Sequence, residues 1–399
     1  MEADGLGSRD HMNRHRRDPG SPRVPTRMTH MIDELKVGGA QTHLLTMIKQ
    51  SALRYPEVEH RVLCLFGEGP FGERLRGAGV AVDVVDLRPL LARRRFLGAA
   101  RVLEGRLREH RPDVVEAHLT WSRLLGLYAA WRVGVAQRIA FEPGDIYLNS
   151  WKFRIANHVG QLFADRVVVC SRALADWNRR THGISPRRLT VLHNCVDLSR
   201  FSPREERDAT AAFGLPPGAT VFCAVGTLGS GVNKRTDVAI RAVAAARARG
   251  GDVALIICGD GDQRSELEAL TDSLGAGPWV RFLGTRDDVP TVLDACDAFC
   301  HAAPFEPFGI VCIEAMASGL PVLVPDSGGI REVVEDGVTG LVYPALDHEA
   351  LAAAMLRLHE CPGLRRQLGQ AARRAVEESF SVGPYLRTLY AMYGLEASR

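Results

Sequence analysis

The chain has 399 residues, of which 46% are hydrophobic and 24% are charged, and its formal net charge is +3. This composition is that of a soluble globular protein, and it excludes a disordered, collagen-like or coiled-coil chain. The small net charge provides no field that would draw the protein onto nucleic acid, so no nucleic-acid partner is expected. No apolar run approaches the roughly 18 residues that span a bilayer.

The nine cysteines lie mostly in apolar runs, such as VFCAV and LIICG. No Cys/His set has the spacing of a zinc site. We therefore expect reduced, buried thiols in a cytoplasmic protein. Residues 1–27 are polar, rich in Gly and Pro, and without the apolar segment of a signal peptide. We predict that this tail is disordered and that Met28 begins the first strand.

From Met28 onward, short β-rich runs alternate with longer amphipathic stretches, which predicts parallel sheets covered by helices on both faces. The pattern restarts after residues 201–220, which are rich in Pro, Gly and charge and are predicted to be a linker with a short helix. We predict Rossmann-like domains over residues 28–200 and 201–380, with a cleft between them. Residues 381–399 are predicted to cross back to the first domain. Ligands of such sheets bind at the carboxyl ends of the strands.

Gly38 and Gly39 follow the first predicted strand and precede a helical stretch, AQTHLLTMIKQ. A glycine pair at this position permits close approach of the backbone to a ligand, and the helix start behind it can hold an anion. Two glycines also simply make a turn, so both interpretations stay open. The loop is not GxGxxG, and a dinucleotide-binding fingerprint is therefore not supported.

The second half opens with a strand that runs into the loop VGTLGSGVNK, which begins at Val225 and ends at Lys234. The Lys234 ammonium could neutralise a phosphate, although a solvated loop lysine is the alternative. The Walker spacing is absent, so a P-loop NTPase is not predicted. Asp260 and Asp262 form a DxD sequence, but they follow a strand directly, where a tight turn favours Gly and Asp. We predict no metal there.

The sharpest local feature is the segment PFEPFGIVCIEAMA, in which Glu306 and Glu314 lie eight positions apart. Pro307 keeps Glu306 out of helical geometry, and Gly309 is predicted to begin the helix that carries Glu314. The helix N-terminal amides between the two carboxylates suit a phosphate. The carboxylates themselves can accept hydrogen bonds from sugar hydroxyls. The alternative is that both are ordinary glutamates favoured by the helix dipole.

These residues carry a resemblance. The E-x7-E pair and its surroundings, PFEPFGIVCIEAMASGLPVLVPDSGGIREVVEDGVTGLVYP, resemble the signature of retaining GT-B glycosyltransferases of the family-4 group. The segment VGTLGSGVNKRTDVAI resembles that family's donor diphosphate loop, and IDELKVGGAQTHLL resembles its first glycine loop. The similarity covers residues 28–385 and implies an α/β GT-B fold, in which two doubly wound Rossmann-like domains face a cleft.

The resemblance implies transfer of a hexose-type sugar from a UDP- or GDP-sugar to a hydroxyl acceptor, with retention at the anomeric carbon. The acceptor would be a saccharide, a glycolipid or an aglycone. Glu314 is expected to bind the donor ribose, and Glu306 and Lys234 are expected to act catalytically at its hexose and diphosphate. The other positions expected around the donor are Gly226, Thr227, Arg235, Phe308, Gly309 and Ile310, with Gly38 and Gly39 approaching from the first domain. No metal or other cofactor is expected.

Three positions depart from the family pattern: Cys195 replaces a turn glycine, and the other two bear on the predicted site. An arginine commonly follows the glycine of the donor loop, but here Thr227 follows Gly226, which leaves Arg235 as the candidate for a second diphosphate cation. A histidine usually ends the strand in the middle of the first domain, and here Glu142 is the candidate catalytic residue at that position. His118, at the end of the preceding strand, is a candidate on the acceptor side, although a lone strand-end histidine is more often structural.

Residues 88–111 hold eight arginines and two glutamates. A basic amphipathic helix can touch anionic lipid, so a weak peripheral membrane contact is one hypothesis, and a solvated helix face is the alternative. Two further function classes stay open. A nucleotide-sugar epimerase would need additional acid/base residues in the cleft. The second class is an inactive protein that only binds a sugar nucleotide, and it stays open because Thr227 and Glu142 depart from the family pattern.

Overall fold

The computed structural model of the chain describes residues 26–36, 38–144, 151–203, 208–229 and 234–395. The strands of the first half are β1 (Thr26–Glu34), β2 (Val58–Gly67), β3 (Ala81–Val84), β4 (Val114–His118), β5 (Gln137–Glu142), β6 (Arg166–Val169) and β7 (Leu189–Val191). Its helices are α1 (Gly39–Arg54), α2 (Pro70–Arg76), α3 (Arg88–Ala92), α4 (Phe96–His110), a π-helical turn (Ser122–Gly126), α5 (Leu127–Arg132), α6 (Trp151–Leu162) and α7 (Arg172–His182).

The second half repeats this alternation. Its strands are β8 (Thr220–Val225), β9 (Val253–Cys258), β10 (Val280–Gly284), β11 (Ala298–Cys300), β12 (Val322–Pro325) and β13 (Gly340–Tyr343). Its helices are α8 (Ala209–Phe213), α9 (Thr236–Ala248), α10 (Arg264–Ser273), α11 (Val289–Ala295), α12 (Ile310–Ala317), α13 (His348–Glu360), α14 (Pro362–Ser379) and α15 (Val382–Met392), with 3-10 turns at Gly277–Trp279 and Gly328–Glu332.

The described residues form two parallel sheets, which confirms the predicted fold class. The first sheet has the strand order β3-β2-β1-β4-β5-β6-β7, and the second has the order β10-β9-β8-β11-β12-β13. Each order reverses once, between β1 and β4 and between β8 and β11. Ligands of open parallel sheets bind outside the carboxyl ends of the strands at such a reversal. The segments after these four strands are therefore where a site is expected.

The apolar runs of the sequence become strands that are covered on both faces. All six residues of β9 are buried, as are all five of β4. Such strands show no in-out alternation because helices pack on both sides of a parallel sheet. Two polar residues interrupt the apolar run of β4: Glu116, which is fully buried, and His118, which ends the strand.

Strand β1 begins at Thr26, two residues before the predicted start at Met28. The Thr26 amide donates to the Glu57 carbonyl at 3.2 Å, and the Arg27 amide donates to the Asp113 carboxylate at 2.9 Å. The sequence did not predict this extension because Thr26 and Arg27 are polar. Strand pairing uses backbone groups, which any residue supplies. The rest of the tail that was predicted to be disordered, residues 1–25, lies outside the described residues.

The last helix, α15, belongs to the core of the first domain. Its buried residues include Tyr385, Leu386 and Tyr390, which share an apolar cluster with Ile32 of β1 and Leu44 of α1. The chain therefore leaves the second domain after α14 and returns to the first. None of the described helices is both long and apolar enough to cross a bilayer. All nine cysteines are free thiols, and eight of them are buried.

Candidate active site

Two adjoining cavities lie between the domains, at the ends of the four strands named above. The smaller has a volume of about 230 Å³ and is lined among others by Gly39, His43, His118, Glu142, Gly226, Thr227, Lys234, Glu306, Phe308, Gly309 and Ile310. The larger has a volume of about 870 Å³ and is lined among others by Gly38, Gly39, Thr42, Lys49, Arg200, Gly226, Thr227, Asp260, Ile310 and Glu314. Every predicted site residue except Arg235 therefore lines one of these two cavities.

Lys234 and Glu306 form an ion pair in the smaller cavity. Lys234 Nζ donates to Glu306 Oε2 at 2.8 Å, and His301 Nε2 lies 3.0 Å from the same oxygen. Burial alone would raise the pKa of Glu306, but Lys234 and His301 hold that pKa well below its usual range. Burial also lowers the pKa of His301, so the charged partners are the lysine and the glutamate.

Helix α12 begins between the two cavities, as its sequence predicts. Its N-cap is Gly309, whose φ of +93° lies in the left-handed region that favours glycine, and no side chain within the described residues caps this helix. The first amides of a helix have no partner within it and carry partial positive charge. This N-terminus is therefore available to an anion that bridges the two cavities.

The N-terminus of α1 faces the same point from the first domain. Its N-cap is Gly38, and the described part of the chain supplies no side-chain cap here either. A Cβ atom at Gly39 would lie 3.7 Å from Ile310 Cδ1, which shows how closely the starts of the two helices approach each other. Two positive helix ends and Lys234 thus converge on one region, an arrangement that suits a phosphate or diphosphate.

Glu314 faces the larger cavity, on the other side of the α12 N-terminus from Glu306. Burial raises the pKa of Glu314 to about 7, and the nearby positive charge of Arg200 opposes this shift only in part. The two glutamates of the E-x7-E pair therefore face different cavities, with the start of the helix between them.

Glu142, a predicted catalytic residue, is held in a buried ion pair with Arg123. Both side chains are almost fully buried, and the Gly144 amide also donates to Glu142 Oε1 at 3.2 Å. Arg123 further donates to the carbonyl of Leu119 at 3.0 Å. The Glu142 carboxylate lines the smaller cavity, but its charge is balanced from within the first domain.

His118 lines the smaller cavity at the carboxyl end of β4. Its ring stacks on Phe141 with a centroid distance of 4.8 Å, and its Nε2 lies 3.4 Å from Glu116 Oε2. Burial lowers the pKa of His118, so the neutral imidazole is favoured.

Arg235 does not join the site, which corrects its prediction as a donor-binding cation. Its guanidinium makes two hydrogen bonds to the Asp237 carboxylate, at 2.8 and 2.9 Å. It lines a separate surface cavity with Arg241 and Glu266. The residue has a φ of +48°, and this backbone turn directs the side chain toward the next helix rather than toward the cleft.

Sequence reasoning missed four side chains of this region: His43, Glu116, Arg123 and Arg200. Glu116 had a usable signal, since a carboxylate in the middle of an apolar strand must find buried partners. His43 lies one helical turn after Gly39 and so faces the same side as the start of the helix. Arg123 and Arg200 had no such signal, because their partners are defined only by the folded chain.

A two-domain α/β fold with this cleft is the GT-B architecture, and solved structures share it. The crystal structure of Anabaena HepE in complex with UDP and glucose superimposes with a TM-score of 0.82 at 22% identity, covering 92% of this chain and 99% of that one. A glycosyltransferase from Rickettsia africae has a TM-score of 0.77 at 17% identity and covers 92% of this chain and 98% of that one. At these identities the likeness shows the fold.

Sequence comparisons add the family. The family model described as Glycosyl transferases group 1 matches residues 206–375, and that of Glycosyltransferase Family 4 matches residues 37–200. The alpha-maltose-1-phosphate synthase of Mycolicibacterium smegmatis is 30% identical over 67% of this chain and 75% of its own length. The chain belongs to the family-4 group of GT-B glycosyltransferases.

Other relatives carry a different name. The D-inositol 3-phosphate glycosyltransferase of Actinosynnema mirum is 34% identical over 58% of this chain, and that of Salinispora arenicola is 34% identical over 53% of it. The matched regions span 57% and 50% of those two proteins, so this chain spans about half the length of these relatives.

Proposed function

We propose that this protein is a retaining glycosyltransferase, which moves a hexose-type sugar from a UDP- or GDP-sugar to a hydroxyl of a saccharide, a glycolipid or an aglycone. The observation that carries the proposal is the arrangement around α12, where Glu314 and Glu306 face separate cavities on either side of one uncapped helix N-terminus. HepE has been crystallised in complex with UDP, with UDP and glucose, and with UDP-glucose, which favours a UDP-sugar as the first donor to test.

In this proposal the donor spans both cavities. Its ribose hydroxyls donate to Glu314 in the larger cavity, and its diphosphate lies between the starts of α1 and α12, where Lys234 adds a positive charge. Its hexose enters the smaller cavity beside Glu306. Support for this order comes from the chemistry of each group, since carboxylates accept from hydroxyls and helix N-termini bind phosphate oxygens.

The proposed chemistry follows from where charge develops. As the bond between sugar and phosphate breaks, negative charge grows on the leaving diphosphate, and fixed cations and amides lower the energy of that state. The Glu142 carboxylate is engaged by Arg123, which favours a mechanism without a covalent glycosyl intermediate. A diphosphate oxygen then takes the proton of the attacking hydroxyl on the same face, and the configuration is retained.

A thermal-shift panel of UDP, GDP and ADP tests donor binding, because a ligand that binds the native state raises its melting temperature. Nucleoside diphosphate release is then followed with matching nucleotide-sugars, with and without acceptors, and the anomeric configuration of the product is read by NMR. We expect stabilisation by one diphosphate, acceptor-dependent release and a retained anomer.

Glu306→Gln should reduce the release at least tenfold, whereas Glu335→Gln, an exposed glutamate outside both cavities, should not. A protein that no nucleotide stabilises, or whose turnover survives Glu306→Gln, would contradict the proposal. Undiminished turnover in EDTA is also expected, since Lys234 and the two helix ends would supply the positive charge that a metal supplies elsewhere.

A peripheral membrane contact through residues 88–111 is a further part of the proposal. Phe96 and Leu97 at the start of α4 are 44% and 66% exposed, and they directly follow three arginines at residues 93–95. Exposed apolar side chains beside cations suit an anionic lipid surface. Co-sedimentation with anionic vesicles at low salt should be lost in a Phe96→Ser/Leu97→Ser variant; no sedimentation of the unaltered protein would exclude the contact.

A cytoplasmic location is proposed from the free thiols.

A further inference from the structure

A buried hydrogen-bonded network lies beneath the smaller cavity and is centred on Glu116 of β4. Both carboxylate oxygens of Glu116 are occupied: Tyr393 donates its hydroxyl to Oε1, and His30 Nδ1 donates to Oε2 at 2.8 Å. Glu116 and His30 are completely buried. Burial would raise the pKa of Glu116, but its histidine partners hold that pKa well below its usual range.

The network continues away from the cavity through His60, Ser51 and Tyr390. His30 Nε2 is hydrogen-bonded to His60 Nδ1 at 2.9 Å. His60 Nε2 is hydrogen-bonded to the Ser51 hydroxyl at 2.7 Å, and that hydroxyl is hydrogen-bonded to Tyr390. One buried carboxylate thus lies at the end of a chain of hydrogen bonds that joins β1, β2, β4, α1 and α15.

This arrangement determines which nitrogen His118 offers to the cavity. A carboxylate only accepts, so the His118 nitrogen that faces Glu116 at 3.4 Å, Nε2, carries the proton. Nε2 is inaccessible to solvent and makes no other hydrogen bond within the described part of the chain. Nδ1 is the other ring nitrogen of His118, and in the neutral imidazole it carries a lone pair that can accept a hydrogen bond.

We infer that His118 Nδ1 accepts a hydrogen bond from a carbohydrate hydroxyl in the smaller cavity and that Glu116 is its positioning residue. The inference rests on the proposed function and deepens it. His118 lies on the first-domain wall, and the Lys234–Glu306 pair lies on the second-domain wall of the same 230 Å³ cavity. His118 is one of the first-domain side chains that line this cavity, and Glu142, which also lines it, is paired with Arg123.

The same atoms could be read as a metal site, since donor atoms of His30, Glu116 and His118 lie within 4.8 Å of one another. The hydrogen bonds argue against that reading. Both oxygens of Glu116 and both nitrogens of His30 already have partners, so a cation would have to displace the Glu116–His30 bond. The tyrosine and histidine donors stabilise the carboxylate without one.

The first experiment compares His118→Ala, His118→Asn and His118→Gln. The amide oxygen of Asn can lie near the position of Nδ1, whereas that of Gln reaches the position of Nε2. We expect turnover to fall about tenfold in His118→Ala, which is the effect of losing one hydrogen bond to a ligand. The loss should be smaller in His118→Asn than in His118→Gln. His158→Asn, a histidine on α6 that lines neither cavity, is the matched control.

Two measurements identify the hydroxyl. If it belongs to the transferred sugar, calorimetry will show weaker binding of the nucleotide-sugar to His118→Ala and equal binding of the nucleoside diphosphate. If it belongs to the acceptor, only the KM for the acceptor rises. The inference is overturned if neither quantity changes more than twofold, if Gln rescues as well as Asn, or if the purified protein carries stoichiometric zinc by mass spectrometry.

The role of Glu116 is tested by a double-mutant cycle. Glu116→Gln should reduce turnover in the unaltered protein but have no further effect in the His118→Ala background, because it acts through His118. Equal effects in both backgrounds would show a purely structural role and overturn the positioning claim. Failure of the unaltered protein to bind any nucleotide contradicts the proposed function. Normal nucleotide binding, with neither the affinity for the nucleotide-sugar nor the KM for the acceptor changed in His118→Ala, contradicts the role of His118 alone.

Discussion

Glu306 and Glu314 are identical side chains eight positions apart, yet their surroundings shift their pKa values in opposite directions. Glu306 is buried and Glu314 is half-buried, and loss of contact with water raises a carboxyl pKa. Glu306 has Lys234 and His301 within 3.0 Å of one oxygen and stays charged, while the pKa of Glu314 rises to about 7. The difference lies in the partners that other segments of the chain bring to each residue.

The raised pKa of Glu314 predicts a pH-dependent stability. The folded protein keeps a proton on Glu314 that the unfolded chain releases near pH 4.5, so the free energy of unfolding should fall as the pH rises from about 4.5 through 7. Glu314→Gln should remove this trend and melt at a higher temperature than the unaltered protein at pH 8, while binding nucleotide more weakly. Melting curves without ligand between pH 5.5 and 8 measure this, with Glu335→Gln as control. Equal melting temperatures at pH 8 would contradict it.

The Lys234–Glu306 pair predicts a strong asymmetry between single and double substitutions. Lys234→Met leaves a buried carboxylate without its cation and should lower the free energy of unfolding by about 2 kcal/mol, a reduced figure because the Lys234 side chain is 24% exposed. The double variant Lys234→Met/Glu306→Gln should recover most of this loss. The deficit of the single variant should narrow as the pH falls, because burial favours protonation of the carboxyl that has lost its cation.

These variants form a double-mutant cycle. Urea unfolding of Lys234→Met, Glu306→Gln, the double variant and the unaltered protein measures the four free energies of unfolding that it needs. Additive losses would show that the two side chains do not interact.

At the scale of elements, the site is built from the starts of two helices that belong to different domains. α1 and α12 each begin at a glycine directly after a segment leaving a strand at a sheet reversal. A glycine is required at the start of α12 because its φ of +93° is strained for any residue with a Cβ atom. The anion-binding property thus belongs to the pair of elements rather than to a side chain.

Gly309→Ala tests this element directly. A Cβ atom there would lie 3.3 Å from Ile330 Cδ1, and the backbone strain should cost about 1–2 kcal/mol of stability. Gly337→Ala is the matched control, since Gly337 has a φ of +74° and open space around it, outside the cleft. Both variants should lose stability, measured by urea unfolding, but only Gly309→Ala should lose affinity for a nucleoside diphosphate by calorimetry. Equal affinities of the two variants for the nucleoside diphosphate would show that the start of α12 does not bind it.

At the scale of the whole molecule, one glutamate of the second domain caps a helix of the first. Glu332 accepts from the amides of Arg172 and Ala173, at 3.0 and 2.9 Å, and lies 3.1 Å from His193 Nε2. These amides are the first donors of α7, which a helix cannot satisfy itself. The contact ties the two domains together on the side of the cleft that Pro307 and Cys170 also join.

Glu332→Ala should lower stability by about 1 kcal/mol, the usual size of a lost helix cap. Its more specific effect should be faster hydrogen exchange at the amides of Arg172 and Ala173, because they would open to water without unfolding the rest of α7. Glu335→Ala, three positions away and exposed, is the control. Unchanged exchange at these two amides would show that the domains hold α7 by other contacts.

The parts of the site that sequence predicted are local in the chain. The start of α12 at Gly309, the glycine pair before α1 and the placement of Lys234 after β8 all depend on neighbouring residues and on strand-turn-helix alternation. The structure places Arg235 outside the cleft for a local reason too, because its partner Asp237 is only two residues away and competes with any ligand. The ion pair of Glu142 was not predicted, because Arg123, nineteen residues earlier, reaches it only in the fold.

The amino-acid sequence alone determined the two parallel sheets and the positions where their strands end, because apolar runs and glycine turns are properties of short segments. Only the tertiary structure decided which side chains of the cleft are charged and which are protonated. Glu116 receives its donors from 86 residues before it and from 277 residues after it. Charges and protons are governed by distances of a few ångströms in space, and residues that far apart in the chain acquire such distances only when the sheets and α15 have packed.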